Sequence, residues 1–158
     1  MGTSGRVDTV IIDVTPTLTA AAYATGRTLG TVEKLGFNIP KLGTRPSSGI
    51  IRSITTIAYD DISPTIDLYM FDQSITQMTD NQAAAITDAD AAKCIGKVAI
   101  ASADFADIGA SRVAYKANVD LPFSISSSGI GIYMQAIAKA SDTYTASGLK
   151  FRFAIEFD

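Results

Sequence analysis

The chain has 158 residues and a mass of 16.6 kDa, with 47% hydrophobic and 18% charged residues and a mean hydropathy of +0.22. That is one domain of ordinary size, able to bury about 70% of the surface its unfolded chain exposes, and too apolar to be intrinsically disordered. A formal charge of −3 argues against binding to a nucleic-acid backbone, and the absence of histidine excludes Ser-His-Asp triads, Cys-His dyads and His-containing zinc sites.

Between Met1 and Val7 the residues are Gly, Thr and Ser with a single Arg6. They have no hydrophobic core, so they are read as a flexible leader and not as a signal peptide. Arg6 also stands where N-myristoylation wants Ser or Thr. From there Val10, Ile12 and Val14 alternate with Thr9, Ile11, Asp13 and Thr15, a period of two that predicts a strand. Residues 19–25 read as a turn of helix or a loop. Further strands are expected over 27–35, after the Gly26 turn signal, and over the β-branched stretch 50–59, which ends at Asp60-Asp61.

The next strand, 65–72, is unusual. Ile66, Leu68 and Met70 occupy one side, and Tyr69 and Phe71 the other. A sandwich strand with one wet face needs only one apolar side. Either a loop or helix of the same chain covers Tyr69 and Phe71, which is the preferred reading, or another subunit does. Thr87-Asp88-Ala89-Asp90 then reads as an N-cap followed by an acidic first turn, predicting one short helix over about 87–95 that ends at Gly96.

Strands over 95–102, 112–119, 129–138 and 149–158 follow, with a short helical turn at 104–109. In the second of these Val113, Tyr115, Ala117 and Val119 form the apolar side. In the last, Leu149, Phe151, Phe153, Ile155 and Phe157 alternate without a break against Lys150, Arg152, Ala154 and Glu156. Ser127-Ser128-Gly129-Ile130-Gly131 reads as a hairpin turn and not as a phosphate cradle, because no Lys-Ser/Thr follows. Eight strands at this spacing predict an all-β fold in one domain spanning 1–158: an antiparallel β-sandwich of jelly-roll type with one short helix. The acids agree, since Glu appears only at Glu33 and Glu156, and Asp suits turns where Glu suits helices.

The candidate chemistry is thin. Asp60, Asp61, Asp72, Asp80, Asp88, Asp90, Asp104 and Asp107 are numerous enough for a glycosidase-like pair, but each falls at a strand end or helix start, where turn and cap hydrogen bonds explain it. No Asp-x-Asp-x-Asp-Gly calcium loop is present. Tyr23, Tyr59, Tyr69, Tyr133 and Tyr144 are candidate sugar platforms, with Tyr144 read as a partly packed lid over a sheet edge. Cys94 is the only cysteine, so it closes no intrachain disulfide, and it reads as a small, semi-buried filler. No catalytic residue, cofactor or metal is expected, and no segment approaches the length of a membrane span.

Gly49-Ile50-Ile51-Arg52-Ser53-Ile54, Ile66-Asp67-Leu68-Tyr69-Met70-Phe71-Asp72, Ile86-Thr87-Asp88-Ala89-Asp90 with Ile95-Gly96-Lys97-Val98, and Leu121-Pro122-Phe123 before Ile132-Tyr133 resemble a family of small tailed-phage virion structural proteins. The resemblance runs from Val10 to Phe157 and rests on packing and turn signatures, so no site residue carries over. It implies a capsid decoration or head-associated protein, made in a host cytoplasm and located in the virion. The expected partners are copies of itself, a trimer favoured, and the major capsid protein or other virion proteins, with no nucleic acid and no membrane. Tyr69 and Phe71 are the candidate interface residues. A fibre or glycan-binding module on the same fold is the alternative, and an aspartate-dependent polysaccharide hydrolase is a second rival.

Overall fold

The computed structural model describes residues 8–35, 48–125 and 131–157. The expected leader at 1–7 and most of the expected hairpin turn at 127–131 lie outside these residues. Eight long strands form in chain order: β1 (Asp8–Val14), β3 (Thr28–Leu35), β4 (Ser48–Ala58), β5 (Ile66–Phe71), β6 (Cys94–Ile100), β8 (Arg112–Lys116), β10 (Ile132–Ala138) and β12 (Leu149–Phe157). Four short ones join them: β2 (Ala22–Tyr23), β7 (Phe105–Asp107), β9 (Leu121–Ser124) and β11 (Asp142–Thr143).

All pairings are antiparallel. The first sheet runs β1-β12-β4-β8-β7, with β9 also on β4; the second runs β3-β10-β5-β6; β2 and β11 form a separate small ladder. Numbering the eight long strands one to eight gives sheets of order 1-8-3-6 and 2-7-4-5. The pairs 1-8, 2-7, 3-6 and 4-5 are nested, as in one long hairpin rolled onto itself, which is the jelly-roll arrangement. Rolling places the two apolar faces against each other, and the predicted sandwich is the result.

The core follows the alternation. Leu149, Phe151, Phe153, Ile155 and Phe157 are all buried, at most 3% exposed. They meet Ile51, Ile54 and Ala58 of β4 and, from the second sheet, Leu29, Leu35, Ile66, Leu68, Met70, Ile132 and Met134. Burial of each such side chain contributes ~1.5–3 kcal/mol before chain entropy is subtracted. In β4 the inward phase shifts because Ala154 faces Ser53 while Ile155 faces Ile51, leaving Arg52 unopposed. This bulge keeps both Ile51 and Ile54 inward and turns Arg52 to Glu156 (2.8 and 3.1 Å) and Asp120 (3.0 Å).

The structure refines several expectations. The helix is α1 (Asp88–Ala91), a single turn capped by the Thr87 side chain; Ala92 and Lys93 turn the chain and β6 starts at Cys94, so the end of the expected helix is already strand. Residues 19–25 form the loop of the two alternatives, carrying the two-residue β2, and the turn expected at 104–109 is a 3-10 turn (Ser102–Asp104) leading into β7. In β8 it is Ala114 that faces the core, 1% exposed, while Tyr115 points out at 62%. The reason is packing: Phe151, Thr56, Ala114 and Phe105 form one cross-strand row, where two large rings leave room for small groups between them. The strand ends at Lys116 because Asn118 and Asp120 take positive φ (53° and 44°), a turn conformation that Asn and Asp tolerate.

Candidate interaction surface

The outer face of the second sheet is roofed by the chain's own residues 72–93. Ile75, Met78 and Ile86 turn down onto Val32, Phe71, Tyr69 and Tyr133, making a small second core outside the sandwich. The cover that the two-sided pattern of β5 requires is therefore intrachain, and Phe71 is only 1% exposed beneath it. Of the two candidate interface residues, Tyr69 alone reaches the surface, half-buried.

Polar ties hold the roof down. The Asp80 carboxylate accepts from the Tyr23 hydroxyl, the Thr19 N–H and the Gly30 N–H, each at 2.6 Å. Burial alone would raise its carboxyl, but the bonds from Tyr23, Thr19 and Gly30 outweigh that and hold it below the ordinary aspartate value. Burial and the Asp80 charge together push the Tyr23 hydroxyl well up. Gly30 is required here, since its φ is +79° and a Cβ would come within 2.7 Å of Pro16. Gln77 closes on the β3 edge, accepting from the Val32 N–H (3.2 Å) and donating to its carbonyl (3.4 Å), the pairing a neighbouring strand would make. The Asp90 carboxylate accepts from Lys93 and from the Thr76 N–H, both at 3.0 Å, which draws it down to about 2.

Between the roof and the sheet lies a cavity of about 380 Å³. Tyr69, Phe71 and Ile137 line it from the sheet, Ile86 and Ala91 from the roof, and Cys94 at its rim. Cys94 is exposed rather than semi-buried, because the helix stops before it. The register sets charge beside this groove: Lys97 faces Tyr69 across β6 and β5, and Asp67 faces Ile137 across β5 and β10. The Asp67 side chain is 9% exposed, with the Lys97 and Lys139 ammonium groups at 3.8 and 4.0 Å, beyond hydrogen-bonding distance.

The remaining candidates have structural partners. Asp60 accepts from the Thr145 N–H (2.9 Å) and hydroxyl (2.8 Å). Asp61 sits at positive φ (52°) and accepts from Arg112 at 2.9 Å. Asp104 accepts from the Ala101 N–H and pairs with Lys116; Asp107 accepts from the Gly109 N–H at 2.7 Å. Asp88 is exposed in the first turn of α1. Asp72 differs, for its buried Oδ1 has no partner among the described residues. The tyrosines separate into two groups. Tyr23 and Tyr144 are buried and pack edge to face, 5.3 Å between centroids, whereas Tyr59 is exposed. Tyr144 is thus an internal plug rather than a lid.

Sequence reasoning missed Tyr115, counted on the apolar side of its strand, and Ile108, hidden between turn residues. Their burial depends on which neighbours arrive, and no local pattern carries that. Among the described residues no group of three or more His, Cys, Asp or Glu is placed to hold a metal ion, and no helix is long and apolar enough to cross a membrane. No protein-family model matches this chain, and no curated protein matches it.

Proposed function

We propose that this chain is a non-enzymatic phage virion structural protein, a capsid decoration that attaches to the head shell as an oligomer, a trimer favoured, and stabilises it. One observation carries the reading furthest. The roof over the second sheet has no counterpart over the first among the described residues, yet that bare face carries Ile11 on β1 and Tyr115 on β8, 53% and 62% exposed, with Ile57 and Val113 half-buried in the row beside Tyr115. Exposed apolar side chains on a hydrogen-bonded sheet suit permanent contact with another protein. The side chains that could do chemistry mostly have turn, cap and ion-pair partners, which supports a role through shape. Copies joined together bind a lattice multivalently, so modest contacts per copy sum to firm attachment.

The test is to add the purified protein to shells that lack it, alongside light scattering of the free protein. Binding, with shells surviving a higher temperature, is expected; a strict monomer that leaves such shells bare sinks the reading. A fibre or glycan-binding role draws on the exposed rings of Tyr59 and Tyr115. It predicts retention on cells or glycans with shell stability unchanged.

A further inference from the structure

The most exposed of the large apolar side chains described is Ile108, at 66%, on the tip of the β7–β8 hairpin. That tip is rigidly built. The Ile108 N–H donates to the Ser111 carbonyl at 3.0 Å, and Asp107 accepts from the Gly109 N–H at 2.7 Å. Arg112 braces the base, reaching Asp61 at 2.9 Å and the Ser63 hydroxyl at 3.1 Å. The hairpin holds an isoleucine out in water beside Asp107, itself 58% exposed with the Arg112 guanidinium 3.9 Å away. A preorganised knob loses little entropy on docking.

The groove beside the roof is its complement. It offers an apolar cavity of about 380 Å³, and next to it Lys97 and Lys139, each about half exposed, with one buried carboxylate between them. Two ammonium groups over one Asp67 leave positive charge in excess on the β5–β10 side of the groove, while Asp90, paired with Lys93 at 3.0 Å, and Asp88 stand on its α1 side. We propose that Ile108 of one copy seats in this groove of a second copy, with Asp107 facing Lys97 and Lys139. Knob and groove lie on different surfaces, so the contact is head-to-tail, and repeated it closes a ring or grows a chain. This rests on the reading of the protein as a self-associating virion component and names the surfaces that would join.

Cys94, the sole cysteine, sits at the groove rim and makes the contact measurable. In the full chain, Ile108→Cys under mild oxidation should give disulfide-linked ladders on a non-reducing gel. Wild type, and Ser141→Cys on another exposed loop, should not. Ile108→Asp, on a side chain that supports no core, should weaken self-association at least ~10-fold by light scattering. An oligomer that tolerates Ile108→Asp and yields no Ile108→Cys cross-link overturns the knob and groove while leaving the virion reading intact. A strict monomer in every variant that also fails to bind shells overturns both.

Discussion

The two sheets share a core but treat their outer faces differently. In the first, β12 alternates buried with partly or fully exposed positions, and its outer residues Lys150 and Arg152 pair with Asp13 at 3.2 and 2.8 Å. In the second, β5 and β10 are buried on nearly every position, and Gln135 has no exposed surface at all. A wet face needs polar residues that gain little by pairing; a roofed face needs apolar ones and side chains that satisfy the backbone beneath. The sheets therefore differ in what stabilises them: apolar area between them, and directed hydrogen bonds above the second.

That difference breaks most visibly in the shared core. Phe153 is fully buried on β12, against residues of both sheets. Phe153→Ala should cost about 3–5 kcal/mol through lost transfer energy and the cavity left behind. Denaturant unfolding should show it as one lowered transition in which both sheets and the roof are lost together. A transition that splits in two would mean that the sheets are stabilised separately.

The next effect is confined to the roof. Asp80→Ala removes three accepted hydrogen bonds, stranding the Gly30 N–H and leaving the Tyr23 hydroxyl and the Thr19 N–H with only their mutual bonds, at a cost of about 2 kcal/mol for partly exposed donors. Acid should reproduce this in the wild type. The Asp80 and Asp90 carboxyls titrate below the ordinary 3.8 when folded, Asp90 at about 2, so protons bind more readily to the unfolded chain. Their stabilisation is complete above about pH 4 and is lost as the pH falls toward 2. Hydrogen exchange should then show the amides of Gly30 and Thr76 losing protection before those of β12. Simultaneous loss would merge the roof with the core.

What the chain order of residues revealed divides along the same line. The ten-residue alternation from Leu149 to Asp158 specifies a strand, its face and its burial, because period two needs no partner to be read. The apolar residues on both sides of β5 likewise announced a cover. The identity of that cover was illegible: Gln77 reaches Val32 and Asp80 reaches Thr19 across separations of 45 and 61 residues, and neither residue has a local pattern. The face of β8 was illegible for a related reason. Ala114 and Tyr115 are both apolar enough to point inward, and the space between Phe151 and Phe105 decides between them. The groove was hidden too, since Tyr69, Ile86 and Ile137 come from three distant segments.

The smallest effect tests the carboxylate that lacks what the roof carboxylates have. Asp142 sits on β11, paired with Tyr23 of β2, and its Oδ2 is buried with no partner among the described residues. Burial raises its carboxyl, so in the folded state its charge costs stability at neutral pH, and the cost fades as the pH falls through the raised value. Asp142→Asn should therefore stabilise the protein at pH 7 by under about 1 kcal/mol, with the gain shrinking toward pH 4. The same change should ease the ionisation of Tyr144, whose hydroxyl is pushed up first by burial and then by the Asp142 charge. Thermal melts at the two pH values, with an ultraviolet titration of the tyrosines, read both effects. A gain of equal size at pH 4 and pH 7 would show that shape, not charge, sets the difference between Asp142 and the carboxylates that tie the roof.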